Sequence, residues 1–171
     1  MSIVQPGTED LSDIMQLFRS CRWSMEADGI FQWNDYYPNP DVIQEDHEKG
    51  TLYVYKLDEI IVGVVTFDEE QAEEYGQLDW TYDGGRAIVI HRLAVHPRYQ
   101  GQGIARKLMD FAETTAFQCG YESVRLDAYS GNERALRLYD KLGYKHRGEV
   151  NFPWRELPFH CLEKRLSKPV E

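Results

Sequence analysis

The sequence predicts an α+β fold, a mixed sheet of about seven strands with about four helices packed on both of its faces. Three observations carry that reading. Short apolar runs alternate with stretches of helical spacing in the order β-α-α-β-β-β-α-β-α-β-β. A glycine turn, Gln100-Gly101-Gln102-Gly103-Ile104-Ala105, joins an apolar β-like run to an amphipathic helix. No internal repeat, low-complexity tract or linker interrupts the 171 residues, so residues 1–171 read as a single domain.

The elements follow in chain order. Ile3, Val4 and Gln5 before Pro6 form a short first strand, and Thr8 is placed to cap the helix whose apolar face holds Leu11, Ile14, Leu17, Phe18 and Cys21. Residues 23–38 are rich in aromatics and carboxylates without clean periodicity. They read either as a loop covering the core or as a lid with a stacking or cation-binding surface. Asp41 is placed to cap a second helix that runs to Lys49 and ends at Gly50. A hairpin follows, with Asp58-Glu59 as its turn.

Beyond the hairpin, Asp68, Glu69, Glu70, Glu73, Glu74, Asp79 and Asp83 crowd a polar connection, read as a solvated loop or as a negative rim attracting an amine. The apolar strand from Ala87 to His96 stops at Pro97, which cannot continue a ladder. Ile104, Leu108, Phe111 and Ala112 recur at helical spacing after the glycine turn. Ser123 to Ala128 is another strand. Asn132 starts a helix that Gly143 ends as a left-handed cap, and two strands close the chain.

Composition narrows the function. The formal net charge of −10 argues against nucleic acid, whose phosphates demand a basic footprint. It is compatible with a cationic substrate. No apolar run has the length of a membrane span, and the first residues lack the pattern of a secretory signal, so a cytoplasmic protein with no membrane partner is expected. Cys21, Cys119 and Cys161 are scattered and odd in number. They read as small buried hydrophobes, with neither a disulfide framework nor a metal site.

The glycine turn has its own chemistry. A strand that feeds a turn and then a helix aims free N–H groups and the positive end of the helix dipole at one point, and the natural guest there is a phosphate. The loop lacks the Gly-Lys-Ser/Thr ending of a nucleotide loop and the third glycine of a dinucleotide fingerprint.

Three stretches, Arg92-Leu93-Ala94-Val95-His96-Pro97, then residues 100–105, then Asn132 with Tyr139 and Leu142-Gly143-Tyr144, together resemble the GCN5-related N-acetyltransferase (GNAT) superfamily. Gln100, Gly103 and Ala105 match its acetyl-CoA signature. The specific similarity lies between residues 86 and 144, while the order of elements agrees over nearly the whole chain. The resemblance implies the GNAT acyl-CoA N-acyltransferase fold, with acetyl-CoA as co-substrate and a primary amine as acceptor. By the same resemblance, Leu93, Ala94 and Val95 offer backbone hydrogen bonds to the pantetheine arm. Backbone N–H groups of Gly101, Gln102, Gly103, Ile104, Ala105 and Arg106 hold the pyrophosphate. Asn132 contacts the pantetheine, Ala135 is small where the cofactor passes, and Tyr139 points at the sulfur. A homodimer is also implied by analogy with relatives, with Phe152, Pro153 and Trp154 as a possible cover for an interface.

Acetyl transfer requires a neutral amine, stabilisation of an oxyanion and a proton for the departing thiolate. Tyr139 is the candidate proton donor, a phenol with an ordinary pKa of about 10 being matched to a thiol. Two candidates compete for the base. His91 stands where some family members carry a histidine on this strand, and imidazole titrates near neutrality. Asp127 stands where relatives that acetylate protein N-termini place a carboxylate, a weak base unless burial raises its pKa. The competing expectations are a CoA-binding sensor without catalysis and a general nucleotide-phosphate binder.

Overall fold

The computed structural model describes residues 2–168. Its elements are β1 (Ser2–Val4), α1 (Leu11–Ala27), α2 (Pro40–Glu48), β2 (Leu52–Leu57), β3 (Ile60–Asp68), β4 (Ala87–Val95), α3 (Ile104–Gln118), β5 (Ser123–Tyr129), α4 (Glu133–Lys141), β6 (Lys145–Val150) and β7 (Phe159–Arg165). The order is the predicted one. The seven strands form one mixed sheet, β1-β2-β3-β4-β5-β7-β6, in which β4 and β5 are parallel. The chain divides into two compact units, residues 2–67 with 92–111 and residues 68–91 with 112–168. β4 and α3 each pass from one unit into the other.

In the first unit, strand alternation sorts the side chains into two layers. Leu52, Val54 and Val64 turn to one face and meet Ile14, Leu17, Phe18 and Ile43 of α1 and α2. Tyr53 and Phe67 turn to the other face, where Phe111 of α3 packs at 4.9 Å from the Tyr53 ring. Gly63 lies on this second face for a packing reason. A Cβ there would stand 2.9 Å from Leu108 Cδ1 and 3.1 Å from Ile104 Cγ2, so α3 lies closer to the strand than any side chain at position 63 permits. The hairpin between β2 and β3 turns on Asp58 and Glu59, both left-handed at φ 47° and 67°. A two-residue loop with both residues in that region twists in the same sense as its strands.

In the second unit, β5 runs antiparallel to β7 with Asp127 opposite Cys161. The connection of residues 69–86 is tied to this part of the sheet and is not a free loop. Glu163 of β7, 1% exposed, accepts the Thr81 and Tyr82 backbone N–H groups at 3.0 Å each. Arg125 of β5 lies over the Trp80 ring at 4.4 Å and donates to Gln71 at 2.8 Å. Buried partners explain why so polar a stretch is ordered: its carboxylates face water while Tyr75 and Trp80 carry the packing.

Four local expectations are corrected. α1 continues through Trp23 to Ala27, because nothing breaks the helix before Gly29 and the Arg22–Glu26 ion pair at 2.8 Å bridges one turn. α2 is capped by Asn39, whose Oδ1 accepts Val42 N–H at 3.0 Å with Pro40 opening the helix; Asp41 lies two residues past the cap. Thr8 opens a 3-10 turn, Thr8–Asp10, and it is Asp10 that folds back on Gly7 N–H at 2.9 Å. Cys119 is exposed just past the end of α3, whereas Cys21 and Cys161 are buried as expected.

Candidate active site

The first unit presents the glycine loop. After β4 ends, Pro97–Tyr99 makes a 3-10 turn in which His96 Nδ1 accepts Arg98 N–H at 3.2 Å. Burial, then the Arg98 charge, holds the His96 imidazole below its ordinary pKa and keeps that nitrogen free to accept. Gly101 and Gly103 both adopt φ of 79°, a conformation side-chain-bearing residues rarely hold. No atom stands within 4 Å of a Cβ built on either, so they are glycine for backbone shape and border open space. Gly101, Gln102, Gly103 and Arg106 are exposed, Ala105 is half-buried, and Ile104 and Leu108 root α3 in the core. Lys107 N–H reaches back to Gly103 O at 3.1 Å, and the N–H groups of Ile104, Ala105 and Arg106 precede that first bond.

Gln100 is assigned a definite task. Its side-chain amide donates to Val95 O at 2.9 Å, and Cys21 Sγ donates to the same carbonyl at 3.2 Å. Both lone pairs of Val95 O are thereby used, leaving Val95 only its N–H for a ligand. His96 N–H bonds Val62 O of β3, and the Ala94 carbonyl lies on that same side, 3.4 Å from where a Gly63 Cβ would stand. Alternation turns the Leu93 and Val95 backbone to the opposite edge. Arg92 anchors the end of β4 through Asp46 of α2, with Nη2 2.6 Å from Oδ2 and Nε 2.9 Å from the same oxygen, and donates to Tyr37 Oη at 2.9 Å.

The second unit gathers the predicted acid and both predicted bases. Register Ala87↔Ser123 to Ile90↔Leu126 ends the β4–β5 pairing immediately before His91 on one strand and Asp127 on the other. His91 Nε2 sits 2.5 Å from Asp68 Oδ1. Asp127 Oδ2 accepts the Tyr75 hydroxyl at 2.6 Å, and Oδ1 has no hydrogen-bond partner among the described residues. Burial pushes the Asp127 carboxyl above its usual range, against the opposing pull of the Tyr75 bond and the His91 charge. Tyr139 is 7% exposed, and burial, then the Asp127 charge, raises its phenol well above the ordinary value. The same two causes push the Cys161 thiol up to about 12. Asn132 caps α4, its Oδ1 accepting Ala135 N–H at 3.2 Å, with Ala135 half-buried on the first turn.

The sequence reading missed Asp68 and Tyr75. Asp68 was assigned to the acidic connection, and the signal for its role is its position as the last residue of β3. Tyr75 reaches Asp127 from 52 residues away, which no local pattern announces.

Chemically, the first unit offers the unpaired first N–H groups of α3 behind an exposed glycine turn with open space beside Gly101 and Gly103. The second offers a buried phenol beside a carboxylate of raised pKa. These are the parts for binding a phosphate-bearing ligand and for moving protons.

Comparison with known proteins identifies the family and the fold. The acetyltransferase (GNAT) family model matches residues 9–144. The uncharacterized N-acetyltransferase YesJ of Bacillus subtilis (strain 168) is 31% identical over 163 residues, covering 93% of this chain and 87% of YesJ. A GNAT-family acetyltransferase from Streptococcus agalactiae has the same fold, with a TM-score of 0.84 at 22% identity over 98% of this chain and 96% of that one. The yncA protein from Salmonella typhimurium, solved with its cofactor acetyl-CoA, aligns with a TM-score of 0.73 at 19% identity over 100% of this chain and 96% of its own. No helix among the described residues is long and apolar enough to cross a membrane.

Proposed function

We propose that this chain, which belongs to the acetyltransferase (GNAT) family, transfers the acetyl group of acetyl-CoA directly to a primary amine, with both substrates bound at once. The observation that carries the reading is the glycine loop. Gly101 and Gly103 in left-handed conformation leave exposed N–H groups at the start of α3 with open space before them. A diphosphate fits there, because the donors and the helix dipole both favour negative charge and no side chain obstructs it. Arg106 adds a solvent-screened cation. The solved relative from Salmonella typhimurium, whose cofactor is acetyl-CoA, supports the choice of ligand.

Acetyl-CoA supplies an activated thioester; the protein supplies positions and protons. Leu93 and Val95 offer backbone hydrogen-bonding groups of β4 to the pantetheine, and the family motif assigns Asn132 and Ala135 to the same arm. Asp127 takes the proton the amine must lose. Its raised pKa makes it a stronger base than an exposed carboxylate, and Oδ1 is available while Tyr75 holds Oδ2. His91, held by Asp68, is the alternative, and its partner's charge also favours a cationic acceptor. Tyr139 keeps its proton across the working pH range and presents it to the leaving sulfur. The acceptor class supported by Asp68 and Asp127 is a cationic small molecule or a peptide or protein amine.

The test is calorimetric titration with acetyl-CoA, followed by an amine library read out as CoA thiol release. Saturable binding and amine-dependent release are expected. Binding without release on any amine would leave a CoA sensor, and competition by ATP equal to that by CoA would leave a general phosphate binder.

A further inference from the structure

We propose a metal site on the last two strands of the sheet, formed by His146, Glu149 and His160, for a borderline divalent cation of the zinc class. The three residues play no part in the acetyl transfer proposed above. Their nearest ligand atoms, two imidazole nitrogens and one carboxylate oxygen, all lie within 4.8 Å of one another.

The backbone builds this cluster by an irregularity. His146 and Glu149 are three apart, and an unbroken strand would send them to opposite faces. The pairing of β6 with β7 shifts between His146 and Gly148, so that His146 stands opposite Leu162 and Glu149 opposite His160. Leu162 and His160 are two apart and share a face, so the bulged residue Arg147 returns Glu149 to the face that carries His146. Gly148 permits the kink: a Cβ there would stand 2.6 Å from Leu78 Cδ2.

The surroundings suit a cation. Arg147, between His146 and Gly148, is drawn to the other face, with Nε 2.9 Å from Glu163 Oε1. His160 Nε2 already lies 3.3 Å from Glu149 Oε1, and the His146 and His160 rings meet edge to face at 4.8 Å between centroids. A tetrahedral zinc with bonds of about 2.1 Å holds its ligand atoms roughly 3.4 Å apart. One pair has that spacing, and His146 and Glu149, both exposed, are free to close the remainder by side-chain rotation. Two imidazoles and one carboxylate satisfy three positions and leave the fourth to water or an incoming ligand. The site is separate from the candidate active site: His160 alternates with Cys161, the residue opposite Asp127, so the two clusters occupy opposite faces of β7.

The experiment is a zinc titration of the full chain by calorimetry, repeated with Co2+ to read d–d absorption. One ion per chain is expected. His146→Ala or His160→Ala weakens it more than about 100-fold and Glu149→Gln about tenfold, while His47→Ala leaves it unchanged. At a hundredfold excess over Kd, zinc raises the Tm of the wild-type chain by roughly 5–10 °C. Should an alanine variant fail to fold, histidine-ring NMR of the wild-type chain decides: one equivalent of zinc shifts His146 and His160 and leaves His47 and His96 in place. Titration without saturation, equal affinity in the His146→Ala/His160→Ala double variant, or zinc shifts shared by every histidine would each overturn the site.

Discussion

The two units answer different demands with different materials. The glycine loop of the first, as proposed, draws on backbone: Gly101 and Gly103 hold left-handed torsions, and the groups it offers a ligand are N–H donors any residue carries. The cluster of the second works through side chains, with Tyr75, Asp127 and Tyr139 set by strands and helices far apart in sequence. A phosphate is recognised by charge and geometry, which main chain provides cheaply. Moving a proton requires a particular acid and base in a particular environment. Binding and chemistry are therefore expected to fail separately when each unit is damaged.

The sharpest break is Tyr139→Phe. Loss of the phenol lowers kcat by about 100-fold or more while the KM for acetyl-CoA stays within a few-fold, measured by steady-state thiol release. An unchanged kcat removes Tyr139 as the acid. The opposite pattern follows Gly103→Val. A β-branched residue forced to φ 79° costs roughly 1–2 kcal/mol or deforms the loop, so the KM for acetyl-CoA rises about tenfold with kcat nearly constant. An unmoved KM would separate the loop from the cofactor.

Tyr75→Phe tests the base more gently. The Tyr75 hydroxyl stabilises the ionised form of Asp127, so its removal favours the protonated form and raises the carboxyl pKa further. If Asp127 must be ionised to accept the amine proton, activity is lost as pH falls through that pKa, and the acid limb of the kcat/KM profile moves to higher pH in the variant. A limb that stays in place assigns the proton to His91. The smallest effect is on stability alone. Replacing Asp58-Glu59 by Asn-Gly puts glycine at the second left-handed position and asparagine, which tolerates that region, at the first, stabilising the chain by about 1 kcal/mol and raising Tm by roughly 2–4 °C in thermal denaturation.

What the sequence revealed follows the same division. The order of elements and the glycine loop were legible because periodicity and turn chemistry are local, and the loop's proposed role rests on six consecutive residues. Asp127, His91 and Tyr139 are legible in the sequence as candidates, but their environment is not: that Tyr75 holds Asp127, or that Asp68 holds His91, depends on contacts 52 and 23 residues apart. The order of the acidic connection was hidden for the same reason, since it rests on Glu163 and Arg125 in distant strands. The caps of α1 and α2 slipped by one or two positions because Thr8, Asp10, Asn39 and Asp41 all offer competent oxygens, and only the backbone path chooses among them.

The three cysteines bear on how turnover is observed. A thiol enzyme product is commonly followed with a disulfide reagent, and such a reagent also consumes protein thiols according to their exposure and ionisation. Burial pushes the Cys21 and Cys161 thiols up to about 12, so they stay silent in the folded chain. Cys119, exposed beyond α3, reacts and contributes one equivalent per chain before any catalysis begins. That fixed offset counts folded molecules in the same cuvette that counts product. Growth of the offset toward three equivalents reports unfolding during the assay, and a Cys119→Ser chain returns the baseline to zero.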